Sequence, residues 1–412
     1  MAKIASEAAE KLKATIDAIT SDPQGPPGVV CAAVNRNGQR IFEHASGKMG
    51  AGIDKPMTAD NVFWIASCTK VITGIACMQL VEQGKLSLDD SDQVEKLAPE
   101  LKAVQVLDNG RLVPKKKSIT LRMLLTHTAG FGYTFFSQSL NEWAGAIGLD
   151  EFSGSYHDYL SQPLIHQPGE RWEYGINIDW AGQLVERVSG LKLNDYFHQH
   201  IFKPLGLSHI SMFPTDEMKQ ALAYMNVKSV DGAYGLNRDG HLYRRPLTAS
   251  SKEDINSTFH AGGAGLFSTP GDFLEVVATL LNDGLHPGTG NRILKKETVE
   301  AMFTNQIPDM PNFARQGINS TKPWLVNPIP EIYPEPPDVP QGWGLTFFLH
   351  LKDGMLHSAG TGWWSGLPNL YWWVDRKRGL GGIVFSQIIP SGDLNIAGVW
   401  VQFEAAMLQN LE

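Results

Sequence analysis

VFWIASCTKVITGIACMQLV, residues 62–81, decides how the rest of the chain is read. The apolar run Val62-Phe63-Trp64-Ile65-Ala66 leads into Ser67-Cys68-Thr69-Lys70, and the segment beyond is apolar nearly all round: Val71, Ile72, Ile75, Ala76, Cys77, Met78, Leu80 and Val81. A helix without a polar face is buried at the centre of a domain, so the pattern predicts a central helix with Ser67 at its N-terminus. Residues three apart share a helix face, with Cβ atoms about 5–6 Å apart, so the Lys70 amine can reach the Ser67 hydroxyl. A helix N-terminus also offers unused backbone N–H groups and the positive end of the dipole, which suit a developing oxyanion. Desolvation disfavours the charged form of a buried lysine, fitting it to accept a proton or to polarise a base. The other reading is an N-capping serine followed by a surface lysine, and the motif alone leaves both open. A second Ser-x-x-Lys, Ser189-Gly190-Leu191-Lys192, closes the amphipathic run QLVERVSG with Gly190 placed as a left-handed cap, so that match is structural.

Outward from this helix, the two chain ends mirror each other. Ser6 to Thr20 has Ala9, Leu12, Ile16 and Ile19 at helical spacing. After the turn DPQGPPG, two β-rich runs in GVVCAAVNRNGQRIFEHASG flank Asn35-Arg36-Asn37-Gly38, a hairpin signal. Near the C-terminus, NLYWWVD and GGIVFSQII read as strands joined by Arg376-Lys377-Arg378-Gly379, and a last helix from Leu394 to Leu408 carries Ile396, Val399, Phe403 and Met407 on one side. The stretch between Ser67 and about Leu281 is mostly helix and loop. This order predicts an α+β fold: one antiparallel sheet built from both chain ends, flanked by N- and C-terminal helices, with a large mainly helical insertion. The expected division is a sheet domain of residues 1–65 plus 340–412 and a helical domain of residues 66–339. Residues 307–342 are rich in Pro and Asn and are expected to run as a long irregular excursion, either bordering a binding site or serving as a disordered connector.

Composition closes off other classes of function. The 412 residues carry a formal net charge of −8 with no long basic run, so the electrostatic footprint of a nucleic-acid binder is missing. Cys31, Cys68 and Cys77 form neither a disulfide framework nor a zinc spacing. Cys68 lies beside Ser67 but turns to another helix face, and is read as a small buried residue. The N-terminus lacks the apolar core of a secretory signal, and no run approaches the roughly 18 apolar residues of a membrane span. A soluble, cytoplasmic protein is therefore expected, with no membrane partner, no metal and no cofactor. His-Glu-x-x-His, the Gly-x-Ser-x-Gly elbow and phosphate-binding glycine loops are all absent.

Two further stretches carry chemistry only in combination with Ser67. In RWEYGINIDWAGQLVERVSG, Tyr174 precedes a helix carrying Trp180, Ala181, Leu184, Val185 and Val188. A tyrosine, with an ordinary pKa near 10, acts as a base only when cations stabilise its phenolate, and beside Lys70 it could take the Ser67 proton. By itself Tyr174 also reads as a core tyrosine with a satisfied hydroxyl. In Trp364-Ser365-Gly366-Leu367, just before NLYWWVD, a glycine on a strand would admit a substrate close to the backbone, and the Leu367 N–H could pair with that of Ser67. Alone, this stretch reads as a tight aromatic turn.

Together the three elements, in this order, resemble the class C β-lactamase and penicillin-binding-protein-like serine hydrolases. LRMLLTHTAGFGY (residues 121–133) and HAGGAGLFSTPGDF (residues 260–273) match as well, and the resemblance covers nearly the whole chain. WEYGINIDWAGQLVERVSGLKL looks most like the fungal lovastatin-type acyltransferases and esterases within that group. The resemblance implies Ser67 as nucleophile, Lys70 and Tyr174 as its activating pair, the backbone N–H groups of Ser67 and Leu367 as an oxyanion hole, and a structural role for His127. Two departures matter. The family's Tyr-x-Asn is here Tyr174-Gly175-Ile176-Asn177, so the asparagine role does not carry over to Asn177. The family's Lys-Thr-Gly is here Trp364-Ser365-Gly366, and a site without that lysine loses its grip on an anionic β-lactam or peptide terminus, whereas an indole suits a flat or apolar acyl group. Of Trp363, Tyr371, Trp372 and Trp373, some must face the core because a strand alternates sides.

The expected function is acyl transfer through an acyl-Ser67 intermediate, with a small-molecule ester or thioester as donor and water, an alcohol or an acyl-carrier protein as partner, in small-molecule (secondary) metabolism. The rivals are a β-lactamase or D-amino-acid peptidase, and a non-catalytic scaffold that keeps the fold.

Overall fold

The structure is a computed structural model that describes residues 3–315 and 317–411. Helix α1 (Ser6–Ser21) buries Leu12 and Ile16, the centre of the expected apolar stripe, and leads into the hairpin of β1 (Gly28–Asn35) and β2 (Arg40–Gly47). The hairpin turn is fixed chemically: the Asn35 side-chain oxygen accepts the N–H groups of Asn37 and Gln39 at 3.0 and 3.1 Å, and Gly38 takes a φ of +76° that other residues rarely adopt. The remaining strands of the main sheet come from the C-terminal part: β3 (Gln341–Trp343), β4 (Phe348–His350), β5 (Gly362–Gly366), β6 (Leu370–Asp375) and β7 (Leu380–Phe385). They join in the order β3-β4-β5-β6-β7-β1-β2, every pairing antiparallel. The sheet is thus closed by the two chain ends, with β1 paired to β7 from Val30↔Phe385 to Asn35↔Leu380.

Both faces of this sheet are covered, which explains why β1, β6 and β7 are buried throughout instead of alternating with polar residues. The period of two decides which residue goes where. Trp372 packs against Phe273 of α4 (Pro270–Leu281), and its neighbour Trp373 packs against Phe403 of α5 (Leu394–Gln409), at centroid distances of 6.3 and 5.3 Å. Gly382, paired with Trp373, is required by that indole: a Cβ there would lie 2.2 Å from the ring. Helix α5 begins where Asp393 accepts the N–H groups of Asn395 and Ile396, and it buries Ile396, Val399, Phe403 and Met407, the residues expected on its inner side.

The inserted region is organised around α2 (Thr69–Glu82), which is buried from Thr69 through Leu80, and α3 (Asn177–Ser189) lies against it. Gly190 ends α3 with φ +72°, the left-handed cap expected for the second Ser-x-x-Lys. The segment entering α2 is tied to the sheet by one side chain. Gln387 accepts the Trp64 N–H through Oε1 and donates to the Trp64 carbonyl through Nε2, at 3.1 and 3.0 Å. The Pro-rich excursion is pinned down: Arg315 donates to the carbonyls of Glu335, Pro336 and Val339, and backbone bridges link Ile318 to Ile329 and Val326 to Ser391. Among the described residues, no helix is long and apolar enough to cross a membrane.

Candidate active site

Ser67 sits in a single 3₁₀ turn, Ala66–Cys68, that runs directly into α2. Ala66 holds a φ of +42°, a conformation that costs an L-residue roughly 1–2 kcal/mol, and the Gln387 clamp on Trp64 helps keep the turn in place. Cys68 is fully buried and burial pushes its thiol far up, so it behaves as an inert small residue.

Lys70 is wholly buried one turn on. Its ammonium donates to Ser67 Oγ at 3.0 Å, to the Gly263 carbonyl at 2.9 Å and to the Tyr133 hydroxyl at 3.2 Å. Three donors therefore meet three acceptors. The Gly263 loop is held in turn by Asp179, whose Oδ1 accepts the Gly263 N–H at 2.9 Å. Only glycine fits there, since a Cβ on residue 263 would lie 2.7 Å from that carboxylate. Burial pushes the Asp179 carboxyl up to about 6, opposed by the Lys70 charge and the Gly263 N–H.

Tyr174 faces Lys70 with its ring: the ammonium lies 4.7 Å from the ring centroid. Its hydroxyl accepts the Trp364 indole N–H at 2.9 Å, and among the described residues neither Ser67 nor Lys70 is a hydrogen-bond partner of that hydroxyl. The loop carrying Tyr174 rests on His127. The His127 carbonyl accepts the Glu173 N–H at 2.8 Å, and its Nδ1 takes the Gly175 N–H at 3.4 Å and the Asn177 side-chain amide at 3.0 Å. Burial and the Lys70 charge hold the His127 imidazole well below its ordinary value, so it is a neutral post under the loop. Asn177 is thereby engaged with His127 and the carbonyls of Phe131 and Glu173, not with Ser67.

The third element closes the site. Trp364 is buried on β5, and Gly366 brings the strand end against the Ser67 turn: a Cβ on residue 366 would lie 2.6 Å from the Ile65 carbonyl. Among the described residues, neither the Ser67 N–H nor the Leu367 N–H is taken up by a turn, loop or cap hydrogen bond. Ser67, Tyr133, Tyr174, Trp364 and Leu367 all line one cavity of about 450 Å³. Phe135 and Phe136 contribute aromatic lining from the loop after Tyr133 and Phe152 from beyond the short helix Gln138–Ala144; Trp363, Tyr371 and Trp400 contribute it from the sheet and α5; Ile318 and Pro328 to Ile332 cover it from the excursion. Trp372 and Trp373 go to the core. Among the described residues, no group of three or more His, Cys, Asp or Glu side chains is placed to hold a metal ion.

The arrangement can polarise a serine hydroxyl, carry its proton through neighbouring phenol and amine groups, and offer two N–H donors near the reacting centre. Sequence reasoning missed Tyr133 and Asp179. Tyr133 closes LLTHTAGFGY, which marks it as part of a matched stretch without showing that its hydroxyl meets Lys70. Burial first, then the neighbouring Tyr174, Asp179 and Glu151, drive the Tyr133 phenol well above its ordinary value, so it stays protonated. Asp179 stands inside the quoted tyrosine element, but its link to Lys70 runs through Gly263, which only the fold supplies.

A family model described as "Beta-lactamase" matches residues 15–406. The chain is 32% identical over 385 residues to a lovastatin esterase of Penicillium rubens, spanning 89% of this chain and 90% of that one. It is 31% identical over 392 residues to the monacolin J acid methylbutanoyltransferase of Aspergillus terreus, spanning 89% and 88%. Among solved structures, unliganded simvastatin synthase from Aspergillus terreus superposes with a TM-score of 0.78 at 27% identity over 98% of both chains. A hydrolase with promiscuous acyltransferase activity shares the fold, with a TM-score of 0.74 at 22% identity over 98% of this chain and 99% of that one.

Proposed function

The chain belongs to the beta-lactamase family, and from that premise we propose that it transfers acyl groups through an ester of Ser67, as an esterase or an acyltransferase on small-molecule esters or thioesters. The observation that carries this reading is the 3.0 Å hydrogen bond from the fully buried Lys70 amine to Ser67 Oγ at the wall of an aromatic cavity.

Ser67 Oγ attacks the donor carbonyl and its proton passes to the Tyr174 oxygen, which acts as a phenolate held between the Lys70 ammonium on its ring face and the Trp364 N–H on its oxygen. A cation and a donor at those places support the negative charge of the phenolate before it takes the proton. The Tyr174 and Ser67 oxygens share the cavity wall and must close to hydrogen-bond distance when substrate is bound, a tightening common on going from a free to an occupied site. The oxyanion rests on the Ser67 and Leu367 N–H groups. Tyr174 then returns the proton to the leaving alcohol or thiol, and in the second half-reaction it takes a proton from the acceptor, which attacks the acyl-Ser67 carbonyl. With water as acceptor the result is hydrolysis; with an alcohol held in the cavity it is transesterification. Tyr133 holds Lys70 in place and does not itself act as base.

Trp364 stands where β-lactamases carry a substrate-gripping lysine, so the cavity is suited to an apolar acyl group and not to a β-lactam carboxylate. The test is a direct competition of substrate classes. A para-nitrophenyl ester should be turned over at least about a hundredfold faster than a chromogenic cephalosporin, and Tyr174→Phe should lower acylation by on the order of 10²–10⁴, the span of a lost general base. Equal turnover of the cephalosporin, or an unchanged rate in the variant, contradicts the proposal. Added alcohols that speed release of the first product and appear in the ester product place the enzyme on the transferase side; pure hydrolysis places it on the esterase side.

A further inference from the structure

Glu331 lines the Ser67 cavity from the excursion, and it is the sole Asp, Glu, Lys or Arg among the described residues that do so. It has no hydrogen-bond or ion-pair partner among the described residues. The cations on surrounding elements are engaged elsewhere. Lys70 lies behind Ser67 with its donors taken up and Asp179 close to it. Lys228 is paired with Asp393 at 3.0 Å, and Lys322 donates to Thr134 and the Leu149 carbonyl beside the buried Glu151. Arg315 is taken up by three carbonyls of the excursion itself. A neighbouring cleft that shares Phe136, Tyr174 and Ile318 with this cavity adds Glu170, Glu173 and Asp309 against Arg171 alone. The wall presented to substrate is therefore aromatic and aliphatic with one unbalanced carboxylate.

We propose that Glu331 sets the charge selectivity of the site, admitting neutral and cationic substrates and rejecting anionic ones. This rests on the acyl-Ser67 reading above and deepens it by naming the substrate class. The physical reason is twofold. A negative group entering an apolar cavity loses hydration without gaining a partner, because the family's cation position is held by Trp364. It also meets the Glu331 carboxylate across the cavity, and like charges in such a space are kept apart by on the order of tenfold in rate at low salt, less as salt screens them.

The experiment uses the full chain and three para-nitrophenyl esters of similar length: the neutral hexanoate, the anionic hemiglutarate and the cationic γ-trimethylammoniobutanoate. At low ionic strength kcat/KM should fall in the order cationic, neutral, anionic, with the first and last separated by about tenfold or more. Glu331→Gln should bring the charged pair close together, and Glu331→Lys should reverse the order. Raising the salt should narrow the wild-type spread and leave the Gln variant flat. An anionic ester that is turned over as fast as the cationic one by wild type, or a ratio that survives Glu331→Gln, overturns the inference while the Ser67 mechanism stands. Hydrolysis of the neutral ester that persists in Ser67→Ala overturns the mechanism itself, and this inference with it.

Discussion

The Trp364 indole donates to the Tyr174 hydroxyl at 2.9 Å, so a residue of the β5–β6 hairpin and one from the middle of the chain act as a unit. Trp364 does more than vacate a cation site: it fixes the orientation of the phenol oxygen over the cavity. Trp364→Phe keeps the aromatic packing and removes the N–H. A lost hydrogen bond of about 1–1.5 kcal/mol corresponds to a drop of roughly tenfold in acylation rate. Pre-steady-state bursts with a nitrophenyl ester would measure it, and an unchanged burst rate would show that the bond does not matter to proton transfer.

The two tyrosines at Lys70 have different expected weights. Tyr133 gives Lys70 one of its three acceptors, whereas Tyr174 is the proposed proton carrier. Tyr133→Phe should cost about one hydrogen bond to a charged group, on the order of 1.5–3 kcal/mol or roughly 10–150-fold. Tyr174→Phe should cost more and flatten the pH dependence of acylation. If Tyr133→Phe proves the more damaging of the two, the base has been placed on the wrong ring.

Asp179 should give the pH profile its acid limb. Burial raises its carboxyl to about 6, and the ionised form is the one that balances Lys70 and holds the Gly263 N–H. Activity needs that ionised form, so it is present above about pH 6 and lost as the pH falls through that value. kcat/KM measured from pH 4.5 to 8 should show this limb in wild type and lose it in Asp179→Asn, which keeps a side-chain oxygen for Gly263. A limb that stays in the variant belongs to another group.

Acid should also loosen the anchor of the excursion. His350 donates its Nδ1–H to the Glu335 carboxylate at 2.7 Å, stacks on His357 at 4.2 Å, and is held down to about 4 chiefly by burial. Glu335, Asp375 and the buried Glu404 face this pair. Because the folded value lies below the unfolded 6.5, the unfolded chain takes up the proton first. The His350 contribution is complete above about pH 6.5 and is lost as the pH falls toward 4. Thermal melts of wild type and His350→Gln should differ in their slope against pH within that window and run parallel above it. Parallel curves throughout would contradict the assignment.

What could be read before the fold was known follows the range of the interactions. Helices α1 and α5 declared themselves through apolar residues at helical spacing, and the first hairpin through Asn35 to Gly38, because both signals are local. Ser67 and Lys70 are also local, three residues apart on one helix, and the structure joins them at 3.0 Å. The sequence places Tyr174 beside Lys70 and within reach of the Ser67 proton, whereas the structure offers its ring face to Lys70 and gives its hydroxyl to Trp364. Nothing in the spacing of residues 174 and 364 encodes that bond. It depends on the sheet bringing β5 across the mouth of the helical region. Tyr133, Asp179 and Glu331 were hidden for the same reason. Each is an ordinary residue in its own stretch and acquires its place from Lys70, Gly263 or the cavity, which the fold supplies.

The central claim, an ester on Ser67, is tested most directly by intact-mass measurement. The protein is quenched in acid within the burst phase of a slow acyl ester and the adduct is mapped by peptide fragmentation. One added acyl group per chain is expected on the peptide carrying Ser67, and none in Ser67→Ala. Undiminished acylation of the Ser67→Ala protein, or an adduct mapped to a different side chain, would contradict it.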